Sequence, residues 1–158
     1  MYMHHMEPTS HVKAAVPAQA IIEVCLCHHA RRTARAVSRL FDEALAPTGL
    51  KSGQFNILCA VAARDVTTAG EVATLLAMDR TTLSRNLKPL RAAGYVNREG
   101  GAGRRPDALA LTHAGRVVLD QGVILWRAAQ SCLTVRLGAG QSSLLLHSLE
   151  TAAKAAVM

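Results

Sequence analysis

The chain has 158 residues, 50% of them hydrophobic and 18% charged, enough apolar material for one domain-sized core, which excludes a disordered or collagen-like chain. Eighteen Lys and Arg against eleven Asp and Glu leave a net charge of +7 and an isoelectric point near 9.8, favouring a polyanion such as nucleic acid over an acidic small molecule. The five aromatics, Tyr2, Phe41, Phe55, Tyr95 and Trp126, are too few for the stacking platforms that single strands need, which points to duplex DNA.

No apolar run approaches the ~20 residues that span a bilayer, and Met1 to Lys13 lacks the basic flank and apolar stretch of a signal peptide. A cytoplasmic protein without a membrane partner is expected, with Cys25, Cys27, Cys59 and Cys132 as free thiols.

Residues 1–16 show no periodicity and read as a flexible arm. From Pro17, suited to a first helical turn, to Ala46 there is no interior Gly or Pro, and Pro47-Thr48-Gly49 ends the run, so one long helix is predicted over 17–46. On it Ile22, Leu26, Ala30, Val37, Leu40, Phe41 and Ala44 recur at three- and four-residue steps, while Arg31, Arg32, Arg35 and Arg39 crowd the other faces. Ser52 to Ala63 reads as a helix capped by Ser52, with Phe55, Leu58, Cys59 and Ala62 on one face.

Thr68-Ala69-Gly70-Glu71 is a capping box ahead of Val72, Leu75 and Leu76. Asp79 caps the next helix, with Met78 stapled onto Leu83, and Gly94 closes it. Pro89 removes the amide that would bond the Arg85 carbonyl, so a bend or a water-satisfied carbonyl is expected. The two helices flanking Ala77 have the length of a helix-turn-helix, with Ala at a turn position where Gly is frequent. Tyr95 to Glu99 and Asp107 to Leu111 read as two strands around a Gly-rich basic tip, a β-hairpin. A second long helix, Thr112 to Leu137, ends at Gly138, and a third from Gln141 carries the stripe Leu145, Leu149, Ala152 and Ala156.

On the helix opened by Asp79, Leu83, Leu87 and Leu90 face inward, and Thr81, Ser84, Arg85 and Lys88 share an outward face. Short hydroxyl side chains allow close approach to a major groove, Arg85 can donate twice to a guanine edge, and Lys88 and Arg91 can meet phosphates. Any soluble helix has such a face; the adjoining hairpin, whose Arg104 and Arg105 can enter a minor groove, makes DNA reading the better account. Between residues 64 and 105, eight basic and four acidic residues carry most of the chain's excess charge.

The stretches Leu45 to Phe55, Glu71 to Leu76, Met78 to Leu90, Ala93 to Val96 and Leu109 to Gly115 together resemble the MarR (multiple antibiotic resistance regulator) family of winged helix-turn-helix transcriptional regulators. The resemblance, over roughly residues 20 to 155, implies a mainly α fold with a small β-hairpin wing. It implies a DNA-binding lobe over 47–111 and a helical dimerisation region from 17–46 and 112–158. It further implies a homodimeric repressor on a pseudo-palindromic operator, with no cofactor. Thr81, Thr82, Ser84, Arg85 and Lys88 would read or position the major groove, while Arg98, Arg104 and Arg105 serve backbone or minor groove. Ala102-Gly103 stand where relatives commonly carry an Asp before the wing arginines, leaving Asp107 as their substitute anchor.

Release from DNA, by the same resemblance, would come from a small aromatic or phenolic effector or from cysteine oxidation. Cys25 and Cys27 lie in a basic, histidine-rich stretch that favours the reactive thiolate, and Cys132 could resolve a sulfenate. Cys27 falls where the family's hydroperoxide sensors carry their reactive cysteine, although Phe55 stands where they have a supporting tyrosine. Cys25, His28 and His29 can share a helical face, but without a fourth ligand or a paired Cys-x-x-Cys no metal site is expected. No phosphate loop, nucleophile elbow or convergent acid pair supports an enzyme. The rival class is a basic helical protein-interaction module without specific DNA binding.

Overall fold

The computed structural model describes residues 17–64, 67–98 and 108–156, and its contacts divide the chain into two units, Met1–Ala36 and Val37–Met158. The arm over 1–16 and the wing tip with Arg104, Arg105 and Asp107 lie outside the described residues.

In the first unit the single helix predicted over 17–46 is divided. Helix α1 spans Ala18–Val24, Cys25 is extended at φ −73° and ψ 109°, and α2 (Leu26–Leu45) starts immediately after. Side chains cap both new ends. Cys25 Sγ accepts the His28 amide at 3.4 Å in the first turn of α2, and the His29 ring donates to the Glu23 carbonyl at 3.0 Å at the close of α1. One orphan amide and one orphan carbonyl of the break are thereby satisfied without Gly or Pro.

In the second unit α2 ends in a 3-10 turn, Ala46–Thr48, closed by Gly49 at φ 72°. Helix α3 (Ser52–Ala62) follows, and its N-cap is Lys51 rather than Ser52. The Ser52 amide donates to Asp42 Oδ1 at 2.7 Å, and the Lys51 amide to Gln54 Oε1 at 2.9 Å, so carboxylate and amide side chains serve the amides at the start of α3, and Ser52 is its first helical residue rather than its cap. Phe55 and Leu58 are buried as predicted and Cys59 half so, but Ala62 is exposed, whereas Ile57, Ala60 and Val61 are buried. Helix α3 is surrounded by α4, α5, α6 and the sheet, so its burial exceeds a single stripe.

The capping box forms as expected: Thr68 Oγ1 accepts the Glu71 amide at 3.2 Å and Glu71 Oε2 the Thr68 amide at 2.8 Å, opening α4 (Ala69–Leu75). Helix α5 (Arg80–Ala92) starts at the Asp79 cap and runs through Pro89. Met78 packs against the core that holds Leu83. Both helices end in the same reversal. After α4 the Met78 amide bonds the Ala73 carbonyl and the Ala77 amide that of Thr74; after α5 the Tyr95 amide bonds Leu90 and the Gly94 amide Arg91. The left-handed residue is Gly94 in one case, at φ 70°, and Ala77 in the other, at φ 49°, the one positive-φ non-glycine among the described residues.

The predicted hairpin is part of a three-stranded antiparallel sheet. Strand β2 (Val96–Arg98) pairs with β3 (Ala108–Leu111), and the short β1 (Thr67–Thr68) pairs with the other edge of β3, giving the order β1-β3-β2. With neighbours on both edges and helices α3 and α6 against it, all four residues of β3 are buried. Helix α6 (His113–Leu137) is capped by Thr112 and ends at Gly138, and α7 (Gln141–Ala155) follows. Two glycines seven residues apart bring α6 close: a Cβ at Gly115 would overlap the Tyr95 carbonyl oxygen, and one at Gly122 would sit 2.9 Å from the Phe55 ring. Leu45, Val118 and Leu119 thereby join Leu58, Leu83, Leu90 and Leu109 in one core. Among the described residues none covers the stripe on α7; Leu145, Leu149 and Ala152 are exposed.

Candidate nucleic-acid interface and cavity

Helix α5 is oriented by its apolar face: Leu83, Leu87 and Leu90 are each buried. That anchoring turns Thr81, Ser84, Arg85 and Lys88 to solvent, as their spacing predicts. Thr82 is different. Its hydroxyl donates to Asp79 Oδ2 at 2.7 Å and its amide to Oδ1 at 2.8 Å, so it holds the helix start, with its hydroxyl lone pairs left to accept. These two bonds hold the Asp79 carboxyl below the usual carboxylate range. One turn on, Asn86 Nδ2 donates to the Thr82 carbonyl at 2.9 Å. Arg80, exposed at the first position of α5 and one turn before Ser84, adds a cation that the sequence reading left out.

Arg98 is the last residue of β2, its backbone paired with Leu109, so strand pairing places it where the sheet leads into the wing. Of the proposed contact residues, then, Thr81, Thr82, Ser84, Arg85 and Lys88 are gathered on one helix.

Of the thiols, Cys27 and Cys132 are exposed and Cys25 and Cys59 half-buried. Burial pushes the Cys59 thiol up, which makes it the least reactive reading among them.

A cavity of about 230 Å3 lies between the later part of α2, α3 and α6. Phe41, Phe55 and Trp126 supply aromatic walls, with Val37 and Leu45 beside them; Ser38, Ser52, Asn56 and Gln130 supply hydrogen-bonding groups. Sequence reasoning did not find it, because its walls come from helices far apart in the chain. Trp126 and Phe41 on two amphipathic helices were the available signal.

The adjoining helices α4 and α5, the second with an outward polar face, and a three-stranded sheet define a winged helix-turn-helix protein. The sequence profile described as MarR family matches residues 48–105, the helix-turn-helix and wing. Among solved structures, the transcriptional regulator MosR of M. tuberculosis is 34% identical with a TM-score of 0.70, over 85% of this chain and 98% of that one; a structure of MosR in complex with DNA matches as well. The transcriptional repressor CouR, bound to a 23-mer DNA duplex, is 27% identical with a TM-score of 0.76, over 88% of this chain and 99% of that one. A further CouR structure holds p-coumaroyl-CoA. The HTH-type transcriptional regulator YwoH of Bacillus subtilis is 30% identical over 87 residues, a stretch spanning 64% of its length. This chain belongs to the MarR family of transcriptional regulators. No helix among the described residues is long and apolar enough to cross a membrane.

Proposed function

We propose that the protein is a cytoplasmic, sequence-specific DNA-binding repressor that acts as a homodimer on a pseudo-palindromic operator. Residues 47–111 form its DNA-binding lobe, and 17–46 with 112–158 its dimerisation region. The observation that carries this reading is the exposed face of α5, where Thr81, Ser84, Arg85 and Lys88 stand outward over buried leucines. Thr82 completes the major-groove set, and Arg98, Arg104 and Arg105 contact backbone or minor groove. Dimerisation is supported by apolar side chains left open within one chain, among them Leu26 at 83% and Val135 at 79% exposure, and by the uncovered leucines of α7.

Release follows when a ligand favours a lobe spacing that mismatches successive grooves. The cavity at Phe41, Phe55 and Trp126 suits a small aromatic effector. A second route, oxidation of Cys27 or Cys25 with Cys132 as partner thiol, is favoured by the exposure of Cys27 and Cys132.

The test is selection of an operator from randomised duplex DNA, followed by Arg85→Ala. The variant is expected to lose about 1–3 kcal/mol of discrimination between operator and random duplex. Unchanged discrimination removes Arg85 from base readout, and failure to select any sequence favours the protein-interaction alternative.

A further inference from the structure

We infer that the cavity lined by Phe41, Phe55 and Trp126 selects a neutral one-ring aromatic, such as a hydroxylated aryl amide, over the aromatic carboxylate of the same shape. The inference rests on the reading of that cavity as the effector site and deepens it by naming the charge class of the ligand.

Size sets the first limit. About 230 Å3 is below the ~300 Å3 at which pockets for drug-sized ligands begin, so one substituted ring fills it. Charge sets the second. Among the described residues lining the cavity none is Lys, Arg or His; the polar groups are the Ser38 and Ser52 hydroxyls and the Asn56 and Gln130 amides. Such groups replace the hydrogen bonds that a neutral amide or phenol loses on leaving water. They do not replace the hydration of a carboxylate, whose transfer without a countercharge is far costlier.

A carboxylate bonded to the wall has the wrong sign for an acid. Ser52, part of the wall, donates its amide to the Asp42 carboxylate at 2.7 Å. Burial pushes the Asp42 carboxyl up, but the Ser52 hydrogen bonds and the neighbouring Lys51 outweigh it and keep the group below the usual range, hence ionised at neutral pH. Lys51 does not cancel that charge for a guest: its ammonium is 3.9 Å from Asp42, and its side chain is 69% exposed.

The experiment uses the full chain at pH 7 and titrates 3-hydroxybenzamide and 3-hydroxybenzoate by calorimetry, with the fluorescence of Trp126, the chain's one tryptophan, reporting occupancy. Gln130→Lys places a cation in the wall; Asn56→Lys does so from an exposed position and serves if the first variant fails to fold. The expected result is binding of the amide at least tenfold tighter in the unaltered protein, with the lysine variant strengthening the carboxylate at least tenfold. Equal or tighter binding of the carboxylate by the unaltered protein, still strengthened by the added lysine, overturns the charge preference while the cavity stands as the effector site. Binding indifferent to both lysine variants, or no binding of either compound with Trp126 unchanged, overturns the effector reading and the inference with it.

Discussion

Replacing Gly115 by Ala adds one methyl group where the first turn of α6 meets the start of the wing. That methyl would overlap the Tyr95 carbonyl oxygen, a backbone atom that cannot move aside by changing rotamer. The same carbonyl accepts the Thr112 amide at 3.1 Å, while the Thr112 hydroxyl donates to the Gly94 carbonyl at 2.6 Å and accepts the Gly115 amide at 3.0 Å. Separating the two backbones costs about 1–3 kcal/mol in overpacking. Weakening a part-buried hydrogen bond adds about 1 kcal/mol. The helical preference of Ala over Gly offsets ~1 kcal/mol of this, leaving a net loss of about 1–3 kcal/mol. Gly70→Ala is the matched control, since its methyl would meet only Thr68 Oγ1, at 3.9 Å, and it is expected to be neutral or stabilising by up to ~1 kcal/mol. Urea unfolding at one fixed protein concentration reads both, the concentration being held because self-association would shift the midpoint. A Gly115→Ala protein within about 0.5 kcal/mol of the unaltered one would refute the close approach of α6 to Tyr95.

The two helix reversals make a reciprocal pair. Ala77→Gly should stabilise by about 0.5–1 kcal/mol, because the left-handed cost of an L residue exceeds the extra freedom of unfolded glycine, and Gly94→Ala should destabilise by a similar amount; thermal denaturation showing the same sign for both would sink the argument. Asp42→Ala should cost about 1 kcal/mol at pH 7 through loss of the acceptor for the Ser52 amide. Since the folded Asp42 carboxyl is held below its ordinary value, the charged contribution is complete above about pH 4 and fades as pH falls through the depressed folded value, so the gap between the two proteins should narrow in acid. A gap that widens on acidification contradicts the assigned direction. Iodoacetamide at pH 7.5 should modify exposed Cys27 and Cys132 ahead of Cys59, whose thiol is buried upward; mass spectrometry finding Cys59 first would reverse that ranking.

The elements with local signals were legible in the amino-acid sequence. Thr68 with Glu71 and Asp79 with Thr82 cap as their spacing suggests, because these bonds close within a few residues. The outward face of α5 was legible for the same reason, its period following from the three leucines beneath it. Three features depended on distant or unusual partners. The break at Cys25 is stabilised by a thiol and an imidazole, which propensity does not count as caps. Strand β1 is two threonines long, and only its pairing with Leu109 and Ala108 makes it a strand. The cavity joins Phe41, Phe55 and Trp126, which no local pattern connects.

Strand β3 is held on both edges, Leu109 facing Thr67 on one side and Arg98 on the other. Its register is therefore set twice, and the length of the connection over 99–107 is not what aligns it. Wings could accordingly be exchanged between relatives as cassettes. Doubling such a connection adds only about 0.6 kcal/mol of closure entropy, so it can be lengthened, or made to carry a fluorescent tag, without disturbing α5.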